Sequence, residues 1–71
     1  MKLVINGKDV ELRDGLTVAE LLKEHKVRMP DMVSVELNGT ILERDSFAST
    51  VVKDGDQVEF IYFMGGGRAI I

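Results

Sequence analysis

The 71-residue sequence predicts a single α+β domain, a mixed sheet of four to five strands with one main helix. Three observations predict it. Two Asn-Gly pairs, Asn6-Gly7 and Asn38-Gly39, each separate short runs of alternating apolar and polar residues, as hairpin turns do. One stretch, Thr17 to His25, carries the 3.6-residue apolar period of a helix. The last apolar run, Val58-Glu59-Phe60-Ile61-Tyr62-Phe63, is apolar on both faces and so belongs in the middle of a sheet.

Taken in order, Lys2 to Ile5 reads as a strand, Asn6-Gly7 as a tight turn and Val10 to Leu12 as the returning strand. Asp14-Gly15 breaks that strand. Thr17-Val18-Ala19-Glu20 then has the spacing of a capping box, in which hydroxyl and carboxylate each satisfy an orphan amide, so a helix begins at Thr17. Val18, Leu21, Leu22 and His25 share one face, and Pro30 closes the segment. Val33, Val35 and Leu37 alternate with Ser34 and Glu36, and Asn38-Gly39 turns this strand into a short one, Thr40 to Leu42. Glu43 to Thr50 is mixed and polar around Phe47, which is expected to plug the open end of the core from a loop or a single helical turn. Asp54-Gly55-Asp56 is a further turn before the final strand.

The order β-β-α-β-β-β, with the last strand central and parallel to the first and the shorter, more polar second and fourth strands at the edges, is a β-grasp arrangement. Residues 1–64 form the domain. The remainder, 65–71, is read as a flexible glycine tail, Gly65-Gly66-Gly67, with the four-residue extension Arg68-Ala69-Ile70-Ile71.

Composition excludes most chemistry. The chain has no cysteine and a single histidine, which leaves no thiol nucleophile, no disulfide and no metal site built from this chain alone. The net charge is −3 with the basic residues scattered. Nucleic acid and membrane are therefore not expected as partners. No apolar run has the length of a signal peptide or a membrane span, and the chain is read as cytoplasmic. His25 has two readings, a helix-end residue favoured by the macrodipole or a general base. Asp54 and Asp56 are turn formers or a carboxylate pair. Gly65-Gly66-Gly67 lacks the spacing, the Lys-Ser/Thr pair and the following helix of a phosphate loop. Two readings of it remain from composition: a disordered end, or a side-chain-free thread whose terminal carboxylate is open to chemistry.

The ordered segments Lys2-Leu3-Val4-Ile5-Asn6-Gly7-Lys8, Leu16-Thr17-Val18-Ala19-Glu20-Leu21-Leu22, Val35-Glu36-Leu37-Asn38-Gly39, Asp54-Gly55-Asp56-Gln57-Val58-Glu59 and Phe63-Met64-Gly65-Gly66-Gly67 resemble the ThiS family of sulfur carriers. The resemblance runs from residue 2 to 67. It implies a ubiquitin-like β-grasp protein that is a co-substrate of enzymes and has no catalytic residue of its own. A ThiF-like adenylating enzyme of the ubiquitin-activating type would use ATP to adenylate the terminal glycine, and this chain would bind no cofactor. A sulfur donor enzyme would then convert the adenylate to a thiocarboxylate, which a ThiG-like thiazole synthase uses to build the thiazole ring of thiamine. On this chain Gly67 would bear the thiocarboxylate, with Gly65 and Gly66 threading the tail. Family members commonly end at the Gly-Gly pair, so the four residues after Gly67 imply proteolytic trimming. Delivery of sulfur to the molybdenum cofactor or a sulfur amino acid, and a ubiquitin-like binding module that never activates its terminus, are the alternatives.

A carrier must also dock. Phe60 and Tyr62 point to one face of the last strand, Ile61 and Phe63 to the other, and the single helix covers only one. The uncovered face is expected to offer apolar surface, with Phe63 and Met64, nearest the tail, as the partner contacts or as structural residues.

Overall fold

The computed structural model describes residues 1–64 and 68–70, with side chains described through Tyr62. Strands β1 (Lys2–Ile5) and β2 (Lys8–Glu11) form an antiparallel hairpin, followed by helix α1 (Val18–Glu24), strands β3 (Ser34–Leu37) and β4 (Thr40–Ile41), a 3-10 turn (Arg44–Ser46), and strands β5 (Gln57–Met64) and β6 (Arg68–Ile70). The sheet order is β2-β1-β5-β3-β4, with β5 central and parallel to β1. This is the expected β-grasp, with β2 and β4 at the edges.

Both hairpins turn at Asn-Gly with positive φ at both residues, 50° and 82° at Asn6-Gly7 and 50° and 86° at Asn38-Gly39. Such a turn matches the twist of the flanking strands. Because it holds only two residues, Lys8 lies directly opposite Ile5, and β2 begins there rather than at Val10. An edge strand tolerates the polar Lys8-Asp9 start because neither residue has to face the core.

The helix begins as its sequence directs. The Thr17 hydroxyl accepts the Glu20 N–H at 3.2 Å while Glu20 accepts the Thr17 N–H at 2.9 Å. The two remaining first-turn amides donate outside the helix, Val18 to the Thr50 carbonyl and Ala19 to that of Phe47. This leaves no orphan donor at the buried end. The helix stops well before Pro30. The Val27 N–H bonds the Leu22 carbonyl at 3.0 Å and the Lys26 N–H that of Lys23 at 3.1 Å, with Lys26 left-handed at φ 53°. This is a Schellman motif with lysine where glycine is usual.

Val18, Leu21 and Leu22 pack on Leu3, Ile5, Val35, Val58 and Phe60 from the sheet. His25, predicted both to continue the helix stripe and to stand at the helix end, is the C-cap and is exposed, its ring 6.0 Å from that of Phe60. The turn at the helix end rotates it out of the stripe. Phe47 follows the 3-10 turn and is buried, closing the core as expected. Among the described residues, no helix is long and apolar enough to cross a membrane.

At the C-terminus, Gly65, Gly66, Gly67 and Ile71 lie outside the described residues. The backbone of Arg68–Ile70 does not run free: Tyr62 pairs with Ile70, Phe63 with Ala69 and Met64 with Arg68. The end of β5 outruns both of its neighbours and leaves ladder groups that an extended segment can satisfy.

Candidate functional site at the end of the central strand

The geometry of β5 is set by where its neighbours stop. β1 pairs with it only at Gln57 and Val58, and β3 from Val58 to Ile61. Past the end of β1 the chain turns away at Asn6, but the Asn6 side chain takes over the ladder: its Oδ1 accepts the Phe60 N–H at 2.9 Å. A turn residue thus also serves as one more rung of a parallel ladder. Asn38 does the same at the other end, its Oδ1 accepting the Gln57 N–H at 2.9 Å and its Nδ2 donating to Asp56 at 3.1 Å.

The turn between these regions uses both carboxylates. Asp54 accepts the Lys2 N–H at 2.7 Å and Asp56 the Lys53 N–H at 2.8 Å, with Gly55 at φ 88° between them. Their geometry is that of turn formers. Among the described residues no three potential metal ligands come together.

Beyond Ile61 the strand leaves the main sheet, and its surroundings are specific. The Tyr62 hydroxyl donates to the Arg28 carbonyl, tying β5 to the segment after the helix. From the other side Arg44 donates to the Pro30 carbonyl at 2.9 Å and the Val33 carbonyl at 2.7 Å, its guanidinium lying 5.3 Å from the centre of the Phe47 ring. A Met29-to-Met32 turn, with the Met32 N–H on the Met29 carbonyl at 2.9 Å, closes the segment. On the β1 side an open pocket of about 410 Å³ is lined by Ile5, Asn6, Lys8, Val10 and His25.

Of the predicted site residues, two lie within the described structure. The structure brings the backbone of Phe63 and Met64 to the last positions of β5; Gly65, Gly66 and Gly67 lie outside the described residues. The face opposite the helix is less apolar than the alternation suggested: Glu59 is exposed on it, with Ile61 half-buried. The exposed large hydrophobics among the described residues are Met29, Met32, Ile41 and Val51. Sequence reasoning missed the Tyr62–Arg28 and Arg44 ties, which join residues 34 and 11 to 14 positions apart and leave no local pattern. For Asn6 a signal existed, since an Asn that ends a strand beside a central one has a free amide oxygen to offer.

A β-grasp domain whose central strand β5 runs out of the sheet toward a triglycine segment has the ubiquitin-like fold. The model of the ThiS family matches residues 3–67, and this chain belongs to that family. It is similar to the crystal structure of ThiS, a thiamine biosynthesis protein, from Geobacter metallireducens, with a TM-score of 0.88 and 54% identity over 94% of this chain and 100% of that one. It is 33% identical to the sulfur carrier protein ThiS of Bacillus subtilis over 92% of this chain and 98% of that protein. It is also 43% identical, over 67 residues, to a thiazole synthase of Paramagnetospirillum magneticum. The chain spans about a fifth of that protein, 94% of this chain against 20% of the other.

Proposed function

We propose that the chain carries sulfur for thiamine biosynthesis as a thiocarboxylate on Gly67. The observation that carries the reading is the extent of the family match, which begins in β1 and stops at Gly67, four residues before the end of the sequence given. Removal of Arg68-Ala69-Ile70-Ile71 by a protease would place a carboxylate on an unbranched residue able to enter a narrow channel. It would also take β6 off the end of β5.

The chemistry then proceeds on the main chain. A carboxylate oxygen of Gly67 attacks the α-phosphorus of ATP in a ThiF-like adenylating enzyme, and pyrophosphate leaves. The terminal sulfur of a cysteine persulfide on the donor enzyme displaces AMP, giving an acyl disulfide. A thiol cleaves its S–S bond, and the thiocarboxylate leaves on the carrier for thiazole synthase. The domain's part is mechanical: it presents the tail from a central strand anchored by ladder bonds on both sides. Similarity to a thiazole synthase over nearly the whole of this chain supports that enzyme as the recipient.

Intact mass measurement of the protein from its own cells under thiamine starvation tests the reading. The expected species ends at Gly67 with one oxygen replaced by sulfur. A full-length, unmodified chain under those conditions would refute it. Gly67→Ala should abolish growth without thiamine; unchanged growth would favour a binding module whose terminus is never activated.

A further inference from the structure

We propose that β6 is an internal stop: paired with β5 at Tyr62, Phe63 and Met64, it keeps the uncut chain from docking on the enzyme that adenylates the tail, so that cleavage after Gly67 switches on docking as well as baring the carboxylate. The inference rests on the carrier reading above and adds a second consequence of the cut.

The pairing conflicts with threading on two counts. Met64 lies directly opposite Arg68, which holds their Cα atoms about 5 Å apart, whereas four residues of extended chain span about 14 Å. A tail drawn out into an enzyme therefore requires this pair to be broken. Beyond it β6 runs back along β5, with Ala69 opposite Phe63 and Ile70 opposite Tyr62, and paired strands lie about 4.8 Å apart. A passage shaped for a single glycine thread does not admit two strands side by side. Phe63 and Met64, the positions expected to meet partners, are thus the ones whose backbone β6 already pairs.

The end of β5 suits such a stop. β1 pairs with it only as far as Val58 and β3 only as far as Ile61, with the Asn6 side chain holding the Phe60 N–H. Unpaired ladder groups on an anchored strand are a template for one more strand. Only β6 then has to be ordered, whereas an isolated hairpin must order both of its strands and is marginal. Ile70 is β-branched and favours a strand. The three residues between the paired ends are all glycine, the residue that resists a reversal of direction least. The stop is also readily released. Three residue pairs hold it, and among the described residues β5 is the strand it joins, the order β2-β1-β5-β3-β4 being complete without it. Removing or disrupting β6 therefore leaves the domain standing. Closed in about nine molecules of ten, the stop weakens docking about tenfold, because apparent affinity scales with the open fraction.

Three forms are titrated calorimetrically against the ThiF-like adenylating enzyme of the same organism: the 71-residue chain, the chain cut after Gly67, and the 71-residue chain carrying both Ala69→Pro and Ile70→Pro. Successive N–H groups of a strand point to opposite sides, so one of two consecutive prolines always removes a ladder donor, while the terminal residue remains Ile71. The cut chain should bind, the uncut chain about tenfold more weakly, and the double-proline chain within about threefold of the cut one. In the uncut chain at least one amide of Arg68–Ile70 should exchange about tenfold more slowly than in an unstructured peptide of the same sequence. Equal affinity of the cut and uncut chains overturns the stop, as do unprotected amides throughout Arg68–Ile70. A double-proline chain that binds as weakly as the uncut one also overturns it, by assigning the block to the mere presence of four more residues. Adenylation of the cut chain at Gly67 alongside any of these results leaves the carrier reading standing; a cut chain that neither binds nor is adenylated overturns both.

Discussion

Replacing Asn6 separates two effects that coincide in one side chain. Its Oδ1 is the acceptor for the Phe60 N–H, on a residue only 3% exposed, and its backbone is left-handed at φ 50°. Losing the acceptor for a buried amide costs about 1–2 kcal/mol, and placing alanine in the left-handed region about 1 kcal/mol more. Asn6→Ala should therefore lose about 2–3 kcal/mol. Asn6→Gly removes the acceptor but adopts the backbone freely, so it should lose only the acceptor's share, about 1–2 kcal/mol. An unfolding entropy of about 2.1 cal/mol/K per residue converts these, for a chain of this length, to melting-point drops of about 13–20 °C and about 7–13 °C. Thermal melts by circular dichroism measure both, and amide exchange at Phe60 should accelerate in each variant. If Asn6→Gly melts at or above the wild type, the side-chain rung contributes nothing and the account of how β5 is anchored is wrong.

Lys26→Gly should stabilise the protein by about 0.5–1 kcal/mol, seen as a higher chemical denaturation midpoint, because glycine relieves the left-handed residue of the Schellman motif. Leu21→Ala, at a fully buried position under the sheet, should lose about 3 kcal/mol by the same measurement and leave a domain of this size close to unfolding. The Thr17 main-chain N–H, and after it the Thr17 hydroxyl, hold the Glu20 carboxyl below its usual range. Its folded-state value is thus below the unfolded one, so its contribution is present at neutral pH and fades as the pH falls below about 4.5. The stability gap between wild type and Glu20→Gln should close over that acid range, and a constant gap would refute the capping argument.

The parts of the fold legible beforehand are those written in neighbouring residues. Asn-Gly pairs need positive φ, Thr17 and Glu20 stand at capping distance, and β5 is apolar on both faces, so two hairpins, the helix start and the central strand were all readable. The helix end was not, because the signal usually sought there is glycine and the chain uses Lys26, whose left-handed turn is imposed by the carbonyls of Leu22 and Lys23. The candidate site was legible at Phe63 and Met64 as the end of the central strand. Its surroundings were not: Met29 and Met32 carry no helical or strand period that would mark them as surface.

By itself the sequence determined the strand order and the direction in which the chain leaves the sheet, since local turn chemistry and apolar periodicity fix which segments are strands and which must be central. It also confined the proposed chemistry to the main chain, by offering three consecutive glycines and no thiol. Only the tertiary structure decided what surrounds the exit. The Tyr62 hydroxyl, the Arg44 guanidinium and the Asn6 amide find their partners after distant segments have been brought within hydrogen-bonding range, and that proximity is a product of the folded packing.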